Sequence, residues 1–317
     1  MKLIELKEVS KRFGNNTVLE DVNLSIEEGD IVGIIGQSGS GKTTLLNLIT
    51  GFLEPTTGQV LHSFKVTQEP ADLNKNLDKI KDFIGFAPQH NSFYPKLTVA
   101  ENLLHFGQLY GLKRETIVNN LKGLLKATEL HPHYKKLAEQ LSGGMQKRLD
   151  ISCSLIHKPK VLVLDEPTAD LDPKLQREIM EFLQEINKQG VTLVIASHHL
   201  HLLEKACNKI VIVHEGKLTT NGLLEDIRRP YVKKHFTISL ELGTDKERIL
   251  SMLGNIPADR IIDQGNNIFV HPAKTDVVQT IARLLKIIEE ENLSHRDLDL
   301  RKPSLSDIFE SITLRKP

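Results

Sequence analysis

Gly36-Gln37-Ser38-Gly39-Ser40-Gly41-Lys42-Thr43 fits the pattern G-x-x-x-x-G-K-[ST] at every fixed position. Its surroundings fit too. Asp30-Ile31-Val32-Gly33-Ile34-Ile35 is a short β-branched run that reads as a strand, and a helix is expected from about Lys42 to Gly51. The glycines let backbone N–H groups turn inward around phosphate oxygens, and the helix N-terminus adds a favourable dipole. Lys42 is placed to reach the β- and γ-phosphates, and Thr43 to set its hydroxyl on Mg2+. Gly36, Gln37, Ser38, Gly39, Ser40, Gly41 and Thr44 complete the expected cradle. Alone, the stretch says that a nucleoside triphosphate binds here.

Outward from it, strand and helix signals alternate. Leu3 to Val9, Val18 to Ile26 and Lys209 to His214 read as strands. Val161-Leu162-Val163-Leu164 and Val191-Thr192-Leu193-Val194-Ile195 are continuous apolar runs, suited to strands buried on both faces. Pro173 to Gln189 carries Leu175, Ile179, Phe182, Leu183 and Ile186 on one helical face, with Gly190 just past its end. The section from about Thr98 to Ile156 is mostly helical in pattern. This predicts an α/β domain with a helical insertion.

Two further segments carry chemistry. The run Val161 to Leu164 ends in Asp165-Glu166, two carboxylates at the C-terminal end of a buried strand, where ligands bind in open α/β sheets. Asp165 is assigned to Mg2+, directly or through water, and Glu166 to polarising the attacking water. Leu141-Ser142-Gly143-Gly144-Met145-Gln146 opens a helix that runs to about Leu155. Its exposed amides and hydroxyl make a second site suited to phosphate.

In this order and spacing, the motifs resemble those of the ATP-binding subunits of ABC transporters, over residues 1 to about 225. The resemblance implies a P-loop ATPase of ABC type. Two subunits would sandwich two ATP molecules head to tail, each signature segment (Ser142, Gly143, Gly144) meeting the ATP of its partner. It implies that Phe13 stacks on adenine, where tyrosine is commoner; a strand-end aromatic in the core is the other reading of that residue. Gln89, in Ala87-Pro88-Gln89, corresponds to the glutamine that contacts Mg2+ and water. Asp170 and Asp172 correspond to the D-loop at the dimer interface, and His198 to the switch histidine that contacts the γ-phosphate. Met145 departs from the commoner glutamine. His199 and His201 complete a His-His-x-His cluster; the family uses only the first, the other two are expected on the following helix, and a metal site is not expected here.

Phe93-Tyr94-Pro95-Lys96-Leu97-Thr98-Val99-Ala100-Glu101-Asn102-Leu103 resembles the ATPases of ABC-2-type exporters, as does Pro303-Ser304-Leu305-Ser306-Asp307-Ile308-Phe309. The implied function is an ATPase, with ATP and Mg2+ as cofactors, that drives a separate membrane permease on the inner face of the cell membrane, in export. Other classes stay open. An importer ATPase can carry a C-terminal ligand-sensing domain. A soluble ATPase of this type normally has long coiled coils, which are missing here. A subunit that binds ATP without hydrolysis conflicts with intact Lys42, Glu166 and His198. Homodimer and heterodimer are both compatible.

Composition agrees. The 317 residues suit about two domains. Lys+Arg and Asp+Glu are both 41, which argues against nucleic-acid binding through bulk positive charge. Hydrophobic residues at 39% and charged residues at 26% exclude a disordered chain. Cys153 and Cys207 read as free thiols of a reducing compartment. The N-terminus lacks the apolar core of a secretory signal, and no apolar run approaches the length of a membrane helix. The pattern restarts near Arg228-Arg229-Pro230, giving expected domains of 1–228, with the helical part at about 90–156, and 229–317. In the second, strands Phe236–Leu242, Arg260–Asp263, Asn267–Val270 and Asp297–Leu300 interleave with helices after the capping box Thr244-x-x-Glu247 and over Asp276–Asn292. A last helix spans Ser304–Ile312. The order β-α-β-β-α-β predicts a small ferredoxin-like α+β domain.

Overall fold

The computed structural model describes residues 1–64, 71–72, 80–232, 237–242, 251, 258–264, 267–272, 277–290, 295–301 and 303–313. The capping box expected at Thr244 and Glu247, Gly265 and Asn266 between the expected strands Arg260–Asp263 and Asn267–Val270, and Glu69-Pro70 lie outside these residues. The chain divides into two compact units, Met1–Leu223 and Leu224–Pro317. The division precedes the expected position after residue 228, because the composition shift at Arg228–Pro230 falls inside a helix, Leu224–Val232, that belongs to the second unit.

In the first unit, β1 (Lys2–Phe13), β2 (Asn16–Glu27), β4 (Thr57–His62) and the two-residue β5 (Ala71–Asp72) form an antiparallel sheet in the order β2-β1-β4-β5. The second sheet runs β10-β9-β3-β8-β7-β6. It comprises β3 (Ile31–Ile35), β6 (Ile84–Ala87), β7 (Val161–Asp165), β8 (Thr192–Ala196), β9 (Lys209–His214) and β10 (Lys217–Leu223). All its neighbours pair in parallel except the β9–β10 hairpin. Strands β3, β7 and β8 are buried along their whole length, as their unbroken apolar runs require of parallel strands covered on both faces.

Helix α1 (Lys42–Thr50) packs Leu45, Leu46, Leu48 and Ile49, all fully buried, into one core with residues of both sheets. Burial of each such side chain is worth about 1.5–3 kcal/mol before entropy. The helix that carries the phosphate loop is thereby fixed to the sheet that carries the carboxylates.

A second core belongs to the helical segment. It joins α2 (Val99–Leu109), α3 (Arg114–Ala127) and α4 (Gly143–Leu155) through Phe93, Val99, Leu103, Ile117, Leu125, Leu149, Cys153 and Ile156. Thr98 and Glu101 cap α2 reciprocally. Fully buried Asn102 ties the approach to it: its amide accepts from the Tyr94 N–H at 2.7 Å and donates to the carbonyls of Tyr94, Leu97 and Thr98. The phrase Phe93–Leu103 is thus a self-contained turn and helix start. Helix α5 (Pro173–Lys188) buries Gln176, Ile179, Met180, Leu183 and Ile186, and the short α6 (Leu200–Ala206) follows β8.

The second unit contains α7 (Leu224–Val232), β11 (Thr237–Leu242), β12 (Ala258–Gln264), β13 (Asn267–Pro272), α8 (Val277–Glu290), β14 (His295–Arg301) and α9 (Leu305–Thr313). Its sheet runs β12-β13-β11-β14, antiparallel throughout. Ser304 and Asp307 cap α9 reciprocally, with Leu305 and Ile308 buried. No described helix is long and apolar enough to cross a membrane.

Candidate nucleotide-binding site

Strands β3, β8, β7 and β6 are adjacent and parallel, so their C-terminal ends share one edge. The phosphate loop follows β3, Ser197-His198 follows β8, Asp165-Glu166 close β7, and Gln89 follows β6. Four segments far apart in sequence thereby meet where open α/β sheets bind ligands.

Within the phosphate loop, Gly41 caps α1 at φ 107, a conformation open to glycine. The Lys42 ammonium lies back along the loop and donates to the carbonyls of Gly36 and Gln37 at 2.8 and 3.2 Å. Gln37, Ser38, Gly39 and Thr43 are exposed, and Thr44 is half-buried. The buried Ser40 hydroxyl has no hydrogen-bond partner, so the loop holds a polar group that a bound anion can satisfy.

The Thr43 hydroxyl donates to Asp165 Oδ2 at 2.8 Å. Burial pushes the Asp165 carboxyl above its ordinary value, against the Thr43 hydrogen bond; the adjacent Glu166 pushes it the same way as burial. A hydroxyl and a carboxylate, with the exposed Gln89 amide on the neighbouring strand end, make an all-oxygen donor set that fits a hard divalent cation such as Mg2+.

Glu166 stands next to Asp165 at φ 49, a left-handed backbone. Its N–H donates to the Ala196 carbonyl at 2.8 Å, which joins the ends of β7 and β8. Its Oε2 meets His198 Nδ1 at 2.9 Å and accepts from the His198 N–H at 3.3 Å. The carboxylate is 10% exposed and the imidazole 59% exposed, so the pair opens to solvent on the histidine side.

His199 differs from its expected place on the helix face. It is the N-cap residue of α6, and its Nδ1 lies 3.2 Å from the Thr168 hydroxyl. Partial burial, then His198, pushes its pKa down. Glu166, His198 and His199 bring one ligand atom each within 4.8 Å of one another. Glu166 Oε2 and His198 Nδ1 are hydrogen-bonded to each other and His199 Nδ1 lies against Thr168, while His201 stands apart with its ring 6.2 Å from that of His199. The pairing of Glu166 with His198 suits acid–base work on water.

Phe13 is 49% exposed at the end of β1, with Lys11 Nζ 5.1 Å from its ring centre. That removes the core reading and leaves an aromatic face open to stacking. Ser142 is the N-cap of α4, and its hydroxyl accepts from the Met145 N–H at 3.4 Å. Ser142 and Gly143 are exposed while Gly144 is buried against Leu175. Asp170 is exposed at φ 60. Asp172 caps α5: its Oδ1 accepts from the N–H groups of Lys174 and Leu175 at 2.9 and 3.0 Å. The sequence signal for that role was Asp172 directly before Pro173.

Sequence reasoning missed Thr168 and Ser197, which hold His199, and the buried pair Lys147–Asp150 beneath Gln89. The one available signal for the pair was two opposite charges three residues apart on a helix.

A profile described as "ABC transporter" matches residues 19–169. The linearmycin resistance ATP-binding protein LnrL of Bacillus subtilis (strain 168) is 27% identical over 99% of both chains. The ABC transporter ATP-binding protein NatA of the same organism is 31% identical over 71% of this chain and 91% of its own length. Among solved structures, the dimeric ATP-binding cassette MJ0796, in a post-hydrolysis state bound to ADP and Pi, aligns with a TM-score of 0.61 and 32% identity. That alignment covers 70% of this chain and 99% of that one.

Proposed function

The chain belongs to the ATP-binding subunits of ABC transporters, and from that premise we propose how its residues carry out the cycle. It binds and hydrolyses ATP to power transport through a separate membrane permease. The cradle Gly36–Thr44 takes the phosphates, with Lys42 leaving the loop carbonyls for the β- and γ-phosphates. Phe13 stacks on the adenine. Thr43, Asp165 and Gln89 would hold Mg2+, which would neutralise phosphate charge. Glu166 accepts the proton of the attacking water, and His198 positions it against the γ-phosphate.

Two chains complete two sites. The observation that carries this is the placement of Ser142 and Gly143: an exposed helix N-terminus, suited to a phosphate supplied from outside its own chain. The D-loop, with Asp170 and Asp172, lies at the same interface. ATP binding closes the dimer and hydrolysis releases it, and the helical segment passes the movement to the permease at the inner face of the cell membrane. The direction is export, supported by similarity to the Nod factor export ATP-binding protein I of Sinorhizobium fredii (strain NBRC 101917 / NGR234), 28% identical over 99% of this chain and 86% of its own length. For the second unit we propose a ferredoxin-like fold, supported by the sheet order β12-β13-β11-β14 with α8 between β13 and β14.

The test is Glu166→Gln. With ATP and Mg2+ it should form a stable dimer, seen by size-exclusion chromatography with light scattering, and hydrolyse very slowly. Normal turnover would remove Glu166 from catalysis, and a persistent monomer would remove the shared site. Copurification of a tagged chain from native membranes should yield a permease in stoichiometric amount.

A further inference from the structure

Helix α4 carries charge on its inward face. Lys147 is 5% exposed and Asp150 is fully buried. Asp150 Oδ1 accepts from the Ser92 N–H at 2.7 Å and from the Ser92 hydroxyl at 2.6 Å. Asp150 Oδ2 has no hydrogen-bond partner and lies 3.9 Å from Lys147 Nζ. That ammonium reaches the carbonyls of Pro88 and Gln89 at 3.4 Å each. One turn of the signature helix therefore holds the segment 88–92 at both ends.

Stability does not account for the arrangement. Burying a carboxylate and an ammonium costs several kcal/mol per ion, and a well-packed apolar pair of the same volume is often as stable. Burial pushes Lys147 down and Asp150 up from their ordinary values, the sign of incomplete compensation. The contacts of the ammonium are also long beside the 2.7–2.9 Å usual for charge-assisted hydrogen bonds. Lys147 stands between two carbonyls and a free carboxylate oxygen, and a move of about 1 Å would seat it on Asp150. The geometry is that of a linkage with two positions.

This linkage spans two sites. Gln89 belongs to the nucleotide of its own chain, whereas Ser142 and Gly143, at the N-terminus of the helix bearing Lys147 and Asp150, belong to that of the partner. Resting on the two-site reading above, we propose that Ser92, Asp150 and Lys147 are positioning residues that transmit the state of one ATP site to the other. A shift of Gln89 on binding Mg2+ and ATP moves the carbonyls under Lys147. The Ser92–Asp150 hydrogen bonds carry that shift into the signature helix.

The experiment uses the full chain with Ser92→Ala, Asp150→Asn, both together, and the conservative Ser92→Thr. Three quantities are read: affinity for a fluorescent ATP analogue at chain concentrations below dimerisation, the ATP dependence of hydrolysis, and the melting temperature. Affinity should stay within about twofold of wild type, while the Hill coefficient falls from a wild-type value approaching about 2 towards 1. The double variant should be no worse than the singles, since the two residues act as one unit. Ser92→Thr should keep the wild-type coefficient. An unchanged coefficient in Ser92→Ala and Asp150→Asn overturns the proposal. So does a non-cooperative wild type, or a loss of affinity that merely follows a fall in melting temperature. A wild-type chain that binds no ATP would overturn the two-site reading itself.

Discussion

Replacing Glu166 by glycine should leave the chain more stable than replacing it by alanine. In an ordinary helix or strand the order is the reverse, because glycine is there destabilising by roughly 0.5–1 kcal/mol relative to alanine. At φ 49 the sign changes. A left-handed backbone brings Cβ against the following carbonyl, at roughly 1–2 kcal/mol for a non-glycine residue. This backbone is held from both sides: the Glu166 N–H donates to Ala196 at 2.8 Å, and its carbonyl accepts from the Ala169 N–H at 3.1 Å. The alanine variant therefore cannot relax to a better φ without losing the link between β7 and β8. Both variants lose the carboxylate contact with His198, so that term cancels. The difference should be about 1 kcal/mol, or about 2–4 °C in the melting temperature of a unit this size. Thermal melts of the nucleotide-free chain, followed by far-UV circular dichroism, would read it. An alanine variant that melts at or above the glycine variant would refute the strain. Both should lose roughly 100- to 10,000-fold in hydrolysis, the usual contribution of a general base. Retained turnover in either would refute the assignment of Glu166.

Gly36→Ala should weaken ATP binding at least tenfold in a fluorescent-nucleotide titration, because its Cβ would lie 2.5 Å from the Val213 carbonyl and 2.3 Å from the Ser40 hydroxyl. The hydroxyl can rotate away and the strand carbonyl cannot; unchanged affinity would show that the loop tolerates a Cβ. Phe13→Ala should weaken binding by about 5- to 150-fold with little loss of stability, since base–aromatic stacking is worth about 1–3 kcal/mol, whereas Phe13→Trp should bind normally. Equal binding by all three chains would exclude adenine stacking. Asp165→Asn should stabilise the Mg2+-free chain at neutral pH. Burial raises this carboxyl in the folded state, so the folded chain binds the proton more tightly and wild-type stability falls as pH rises from 3.8 through the raised value. Urea unfolding across that window should show a flatter pH dependence for the variant, and parallel curves would contradict the sign. A chain ending at Leu223 should bind ATP as the full chain does; a folded truncation that had lost binding would contradict a site confined to the first unit.

What the sequence disclosed, it disclosed locally. A phosphate loop is eight consecutive residues between a strand and a helix, and its glycines are demanded by backbone geometry that no partner alters. The strands β3, β7 and β8 were legible for a related reason: burial on both faces leaves an unbroken apolar run. Strand β6 was not, because Ile84-Gly85-Phe86-Ala87 is four residues long with a glycine that lets the Ser154 carbonyl approach, and nothing in that run marks a strand. Strand β10 alternates exposed and half-buried residues on a sheet edge and gave little signal. Asp172 carries two roles at once: its motif suggested an interface, and its Oδ1 also caps its own helix. The pairing of Glu166 with His198 could not be read at all, since it depends on β7 and β8 lying side by side.

The strand order also has a consequence during synthesis. Ile31 pairs with Leu193, and Val32 with Lys209, so β3 has no sheet partner until more than half the chain has left the ribosome. The antiparallel sheet β2-β1-β4 needs only the first 62 residues and can form early, covering one side of α1. The helical core from Phe93 to Ile156 can close next from near-neighbour contacts. Through that interval β3 presents an unpaired, wholly apolar edge. A nascent chain stalled between residues 156 and 193 should therefore be the length most dependent on chaperones and most exposed to misassembly.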